Sequence, residues 1–533
     1  MTFDAIIRHA TLHDGTGAPP FPADLAVSRD RIAAIGDLSA ASAPLEIDAT
    51  GLVLCPGLVD AHSHSDAYIL LQPAAESKIR QGVTTEIVGN CGASAAPLLP
   101  GYTMPSDWLE HIPNPSWTTL DTYRATLASA RPALNIAMLV GHRTLRAAVM
   151  GTAPRAAAPD EIRAMCALLE TAMEQGALGL STGLVYAPAM YAEPAEIRAL
   201  AAVVARHGGI YASHVRSEST RLLEAIAEFI DVGRATSVRL QLSHFKTSGR
   251  PNWHKLPAAL DLVRSAIDSG LDLASDRYPY TASATDLDIL LPVWAEQGGR
   301  AAILARLRDP ATRARIRAEI LAEHPDPAYW TTVRIGVTHA PENAPFAGLP
   351  LPAVADALRL HPLDAALRLM DTDDLYTGGI FFGMSEENMW TILSQPYVAI
   401  GSDASLRAPW GPLAADHPHP RAYGTFPRFL RASIDGKTVP LPEAIRRMTS
   451  LPASRFRLAG RGILRTGACA DLLLFDPRTI RDTATYAAPH AFPEGIAAVF
   501  VNGAPAYRAA TAPSGAPDST APRAGRFLAP GVP

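Results

Sequence analysis

The sequence predicts an α/β fold, a (β/α)8 barrel of the TIM type flanked by β segments at both chain ends. Three observations point there. From residue 52 onward, short apolar runs alternate with longer amphipathic stretches, the pattern of parallel strands joined by crossover helices. Eight such runs can be counted, the number a barrel needs. The two chain ends read instead as short β segments separated by turn residues. The 533 residues, 48% hydrophobic and 19% charged, suffice for a barrel of roughly 250 residues plus additions, and they exclude global disorder.

Residues 1–55 read as a small β domain, with segments at Phe3–Ile7, Leu25–Val27 and Arg31–Gly36. The barrel is expected over 56–461. Its runs are Leu52–Asp60, Gly82–Gly89, Leu134–Gly141, Ala177–Thr182, Gly209–Ser213, Ser237–Ser243, Leu271–Asp276 and Tyr397–Ser402. Pro159–Gly176 and Glu193–His207 are typical of the helices between them. About 120 residues separate the seventh run from the eighth, far more than a loop needs. An insertion before the eighth strand, largely helical, is therefore expected at about 285–345. Residues 440–455 read as a last helix. Residues 462–508 return to β character, with strands at Ala470–Phe475 and Ala497–Asn502, and 509–533 is an extended or disordered tail.

Composition narrows the function. A formal net charge of −5 with no long basic run argues against a nucleic-acid partner. No window approaches 18 uninterrupted apolar residues, so no membrane span is expected. The N-terminal MTFDAIIRHATLHDGTG lacks a basic region followed by an apolar core, which predicts no signal peptide. Four scattered cysteines without a CxxC pair do not make a disulfide framework; a reducing, cytoplasmic setting is expected. Composition leaves the oligomeric state open.

The strongest signal is where metal-binding residue types fall. His62 and His64 close the first run and, as alternate strand residues, face one way. Cys91 follows the second run, His214 the fifth, His244 the sixth and Asp403 the eighth. In a barrel the C-terminal strand ends converge on one mouth. A lone strand-end histidine is most often structural, a lone buried cysteine a small hydrophobe, and a Ser-Asp pair a helix cap. Jointly, at five of eight converging ends, they read as a metal site. Zinc suits imidazole, thiolate and carboxylate donors. Six candidates exceed one tetrahedral shell, so either two metals bind or some residues serve otherwise. Thiolate ligation predicts one tight zinc on Cys91, His214 and His244, and a weaker or empty second site on His62, His64 and Asp403. Zinc lowers the pKa of its water to about 7, and Asp403 is the candidate general base and then acid for amide hydrolysis.

Other polar groups suggest a small-molecule substrate that carries a carboxylate. Lys246 lies two residues past His244, and Arg421 follows the eighth run in a Pro-rich loop. Tyr186 and Tyr278 follow the fourth and seventh runs. Arg421 equally suits a surface loop, the tyrosines equally suit rim packing, and His142 after the third run is either a substrate contact or structural.

At these residues a family becomes recognisable. PGLVDAHSH at 56–64, GVTT at 82–85, GNCG at 89–92, GLSTGLVY at 179–186, SHVRSE at 213–218 and SHFK at 243–246 carry the likeness, with YPY at 278–280, IGSD at 400–403, HPR at 419–421 and GTFPR at 424–428. The chain resembles the N-acyl-D-amino-acid deacylases (D-aminoacylases) of the amidohydrolase superfamily over nearly its whole length. The resemblance implies that the segments of 1–55 and 462–508 form one small β domain built from both chain ends, and that the chain is a zinc-dependent enzyme that frees D-amino acids from N-acyl-D-amino acids. It implies tight zinc on Cys91, His214 and His244, with His62, His64 and Asp403 about a weaker site. It also implies Asp403 as acid/base, and Lys246 and Arg421 with tyrosine help on the substrate carboxylate. Many relatives in the superfamily bridge two metals with a carboxylated lysine on the fourth strand. The run at 177–183 holds no lysine, and Cys91 can take that anionic role. Ala404 stands where glycine is usual and the loop to Pro418 is long; both bear on substrate preference. A cyclic amidase of the dihydropyrimidinase or dihydroorotase kind is the nearest alternative, and a non-catalytic scaffold on a decayed barrel the most distant.

Overall fold

The computed structural model describes residues 3–99, 108, 112, 114–510 and 520–532. Eight strands run parallel in two sheets. The first holds β1 (Leu58–Asp60), β2 (Val83–Val88) and β3 (Asn135–Met138, continued by Val140–Gly141). In the second, Val140–Gly141 starts a ladder through β4 (Gly179–Gly183), β5 (Ile210–His214), β6 (Arg239–Leu242), β7 (Leu273–Arg277) and β8 (Val398–Ile400), in that order. Hydrogen bonds continue across both seams. Leu139 N donates to Val88 O at 2.9 Å, and Ala61 N donates to Ile400 O at 3.2 Å. Ser63 and Ala404 form a parallel bridge just past β1 and β8.

Helices Pro159–Glu174, Pro194–Arg206, Leu222–Thr236 and Leu256–Asp268 follow β3 to β6 in turn. Their apolar faces bury Leu169, Leu200, Ile226 and Val263 against the strands, in one continuous core. Covered on both faces, the strands are buried along their length, as parallel sheets require. Among the described residues no helix is long and apolar enough to cross a membrane.

The chain ends meet in one sheet. Its order is Ala504–Arg508, Ile496–Val501, Leu472–Phe475, Val53–Pro56, Ala5–Leu12, Phe21–Ser28 and Arg31–Gly36, with Leu45–Asp48 also on Ala5–Leu12. Arg461 fastens this sheet to the parallel strands: it pairs with Asp471 and donates to Asn502 Oδ1 at 2.8 Å, while Asn502 Nδ2 donates to Asn135 Oδ1 on β3 at 2.8 Å.

Two expectations look different in the structure. The sequence places the insertion between β7 and β8 at about 285–345 and predicts it to be largely helical. Helices Arg300–Arg308, Pro310–Glu323, Leu351–Leu358 and Pro362–Thr372 are there, but so is a three-stranded antiparallel sheet of Ser283–Asp286, Gly378–Phe381 and Val333–Ile335, and the unit extends to Phe381. It packs a core of its own around Ile316, Trp330 and Leu367. Strands of three or four residues are too short to show a period of two. The tail from 509 includes residues 511–519, outside the described residues. Its later part is docked: Phe527 bridges Ile136 on β3, and Leu528 is buried.

Gly89, at the end of β2, has φ +76°, and a Cβ there would lie 1.9 Å from Leu139 O. Gly89→Ala is therefore expected to cost more than about 1 kcal/mol, read as a lowered urea midpoint. An unchanged midpoint would refute the backbone argument.

Candidate metal centre

The six expected ligands converge. His62, His64, Cys91 and Asp403 offer donor atoms that all lie within 4.8 Å of one another, and so do Cys91, His214 and His244. Cys91 belongs to both groups. Its Sγ stands 3.3 Å from His62 Nε2 and 3.4 Å from His244 Nε2, and Asp403 Oδ1 lies 3.1 Å from His64 Nε2 and 3.4 Å from His62 Nε2.

Local backbone explains how short strand-end segments aim so many donors at one place. Cys91, His244 and Asp403 all adopt left-handed backbone, with φ of 51°, 35° and 51°. Such conformations cost non-glycine residues energy and persist only where surroundings impose them. Asp276 Oδ1 accepts the His244 N–H at 2.8 Å, and His62 O accepts the Asp403 N–H at 2.8 Å. Gly401 lets β8 approach β1, since a Cβ there would meet His62 Cβ at 2.6 Å.

Electrostatics favour ligation. Burial pushes the Cys91 thiol up, but the His62 and His244 imidazoles outweigh it and hold it well below the usual thiol range. Burial likewise disfavours ionised Asp403, yet the Arg421 guanidinium and His244 keep it well below the usual carboxylate range. His64 loses solvation too, but hydrogen bonds to Asp403 and Cys91 raise it to about 9. Without a metal, protons on the imidazoles balance the two anions.

A divalent cation can replace those protons. A tetrahedral zinc holds sulfur at about 2.3 Å and imidazole nitrogen at about 2.0 Å, which sets two such donors about 3.5 Å apart. The Cys91–His62 and Cys91–His244 separations fit that spacing. His214 Nδ1 is buried without a hydrogen-bond partner among the described residues, as a ligand atom awaiting its metal should be. The set fits zinc.

Sequence reasoning missed two residues around the donors. Asp276 Oδ1 is 3.0 Å from His62 Nδ1, so the far side of that ring meets a carboxylate and Nε2 is left for the metal. Asp276 ends the seventh run, where a lone Asp reads as a cap. Glu218 Oε1 is 3.0 Å from His244 Nδ1, and the carboxyl is held far below its ordinary range: burial opposes ionisation, but Lys246, His214 and His244 overcome it. It lay inside the SHVRSE stretch, unmarked.

The expected substrate contacts gather nearby with partners of their own. Lys246 Nζ donates to Glu218 Oε1 at 2.5 Å and lies 2.7 Å from His244 Nδ1. Arg421 Nη1 donates to Asp403 Oδ2 at 2.8 Å, its guanidinium lies 4.6 Å from the Tyr278 ring centre, and its Nε has no hydrogen-bond partner among the described residues. Tyr186 stands edge-on to His214, its hydroxyl 3.4 Å from Thr285 Oγ1 of the inserted sheet. His142 is buried against Glu196 at 2.7 Å, beside Arg146, a structural role.

The amidohydrolase family model matches residues 45–507. The chain belongs to the amidohydrolase family, in its D-aminoacylase group. It is 38% identical over 511 residues to a D-aminoacylase of Alcaligenes xylosoxydans xylosoxydans, covering 95% of each chain. The crystal structure of the N-acyl-D-glutamate deacylase from Bordetella bronchiseptica, complexed with zinc and a phosphonate mimic of the tetrahedral intermediate, superposes with a TM-score of 0.83 at 34% identity, covering 99% of this chain and 100% of that one. A D-aminoacylase structure described as having a binuclear metal centre, with one-metal activation and second-metal attenuation, gives 0.81 at 35% identity and the same coverage.

Asp276→Asn removes the charge behind His62. Metal affinity is expected to fall on the order of 10- to 100-fold, measured by competition with a chelator. An unchanged affinity would show that Asp276 does not tune the centre.

Proposed function

We propose that this amidohydrolase cleaves the amide bond of N-acyl-D-amino acids with zinc, releasing a carboxylate and a free D-amino acid. The observation that carries the reading is the Cys91 sulfur shared by two imidazole groups, with the Asp403–Arg421 pair at its edge. Cys91, His214 and His244 would hold one zinc tightly; His62, His64 and Asp403 frame a second, weaker site. Bound zinc supplies Lewis acidity, lowering the pKa of a water to about 7 and polarising the acyl carbonyl.

The chain's own groups do the rest. Asp403 is ionised at neutral pH, so it can take a proton from the attacking water and return it to the departing amine. The free Nε of Arg421 is a donor suited to the substrate carboxylate. The Lys246 ammonium, held by Glu218 at 2.5 Å, has further N–H groups for the same purpose. Tyr186, edge-on to His214, and Tyr278, against the Arg421 guanidinium, would help to hold the substrate there. The preference for the D form comes from the relatives. A cyclic amidase is the weaker reading, because β4 (GLSTG) carries no lysine and Cys91, which belongs to both donor groups, would take the bridging role.

The architecture we infer is one closed (β/α)8 barrel over residues 56–461, supported by hydrogen bonds across both seams of the parallel sheets. In this division the sheet of the two ends is a separate small domain, from 1–55 and 462–508, the unit between β7 and β8 borders the mouth, and 509–533 is the tail. The four cysteines are free, which suits a cytoplasmic setting.

Matched N-acetyl-D- and N-acetyl-L-amino acids test the reading, with metal counted on the same sample. Hydrolysis of the D series alone, with about one firmly held zinc per chain, is expected. Asp403→Asn should keep that zinc and lose on the order of 10²- to 10⁴-fold in kcat. Zinc with no activity on either series would move the substrate elsewhere.

A further inference from the structure

Beneath the centre lies a lysine that the reaction does not use. Lys78 is 0% exposed. Its Nζ stands 2.9 Å from Asp60 Oδ2 and 2.8 Å from Glu86 Oε1, the carboxylates of β1 and β2. Its other two neighbours are Ser402 Oγ at 2.8 Å and Ala404 O at 2.9 Å, on either side of Asp403. Burial disfavours the ammonium, but Asp60 and Glu86 hold it charged. The same two carboxylates reach the ligand segments directly. Asp60 Oδ1 accepts the N–H groups of His62 at 3.2 Å and Ser402 at 2.8 Å, and Glu86 Oε1 accepts from Ser63 and Ser65, which flank His64.

We propose that Lys78 is a positioning residue whose ammonium, by gripping Ser402 and Ala404 together, holds Asp403 in its left-handed backbone conformation with its carboxylate on the histidines. The inference rests on the reading of Asp403 as acid and base. Aspartate visits φ of 51° more readily than most residues, but the region is still a minority one for it, so surrounding contacts must hold it there. Ser402 Oγ, held by Lys78, accepts the Ala404 N–H at 3.2 Å and so fixes the peptide after Asp403, while His62 O fixes the one before it; a donor 1 Å out of place can cost on the order of 100-fold in rate. One cation thereby joins the three strand ends that carry His62, His64, Cys91 and Asp403.

Kinetics of Lys78→Met, Asp403→Asn and the double variant test this, with zinc content and thermal midpoint recorded for each. Lys78→Met is expected to lose about 100-fold in kcat with KM within about threefold, and to keep its tight zinc. Added to Asp403→Asn, it should slow the enzyme by no more than about threefold, because both changes remove one function. A merely structural lysine would multiply its loss onto that of Asp403→Asn, and that result, or a Lys78→Met kcat near the parent's, overturns the proposal. Should Lys78→Met not fold, Ser402→Ala removes one grip and leaves the ion pairs intact. It is expected to lose about tenfold in kcat with the same lack of additivity, and parental kcat or additivity there overturns the proposal equally. Asp403→Asn at the parental rate would sink the acid–base reading and this inference with it. A slow Asp403→Asn beside an unaffected Lys78→Met would sink the inference alone.

Discussion

A thiolate at Cys91, buried among His62, His214 and His244, is the interaction on which the rest of the site depends. In low dielectric an anion survives only beside compensating positive charge. The His62 and His244 imidazoles, raised by their acidic neighbours, supply it without a metal, and a divalent cation supplies it better. Either way the rings must keep their distal nitrogens occupied and their proximal ones turned inward. Asp276 behind His62 and Glu218 behind His244 do that, and Lys246 keeps Glu218 ionised in turn. The charges therefore alternate outward from the sulfur, and each shell makes the next one tolerable.

Geometry comes at a cost carried by the backbone. Three donor residues sit in the left-handed region, all immediately past strands. A strand alone would direct successive side chains alternately up and down. Turning the chain sharply at Cys91, His244 and Asp403 lets single residues from different strands reach a common point. The strain is offset by backbone hydrogen bonds to Asp276 and His62, and by buried polar groups that packing has made rigid.

The donors were legible in the sequence because metal chemistry uses few residue types and strand ends have a known direction. His62-x-His64 shows a period of two outright, and Cys91, His214, His244 and Asp403 each close an apolar run. The supporting residues were not legible. Asp276 and Glu86 are acids inside or at the end of strands, which sequence patterns cannot tell from caps or edges; only contact reveals their partners. Lys78 lies in the turn of helix Glu76–Ile79, four residues long, where a lysine reads as solvated surface. The antiparallel sheet of the inserted unit escaped notice because its strands are too short for a period, and because Arg- and Ala-rich helices dominate the composition around it.

The sheet made from both chain ends carries a consequence for biosynthesis. Val53–Pro56 pairs with Leu472–Phe475, a strand that leaves the ribosome only after every parallel strand has been made. Until then the N-terminal strands offer an unpaired edge to whatever is near, and exposed edges recruit other chains. The nascent protein thus spends most of its translation with its first-made part unfinished. Its yield in a cell should follow the supply of chaperones that shield such edges more closely than it follows the stability of the finished fold.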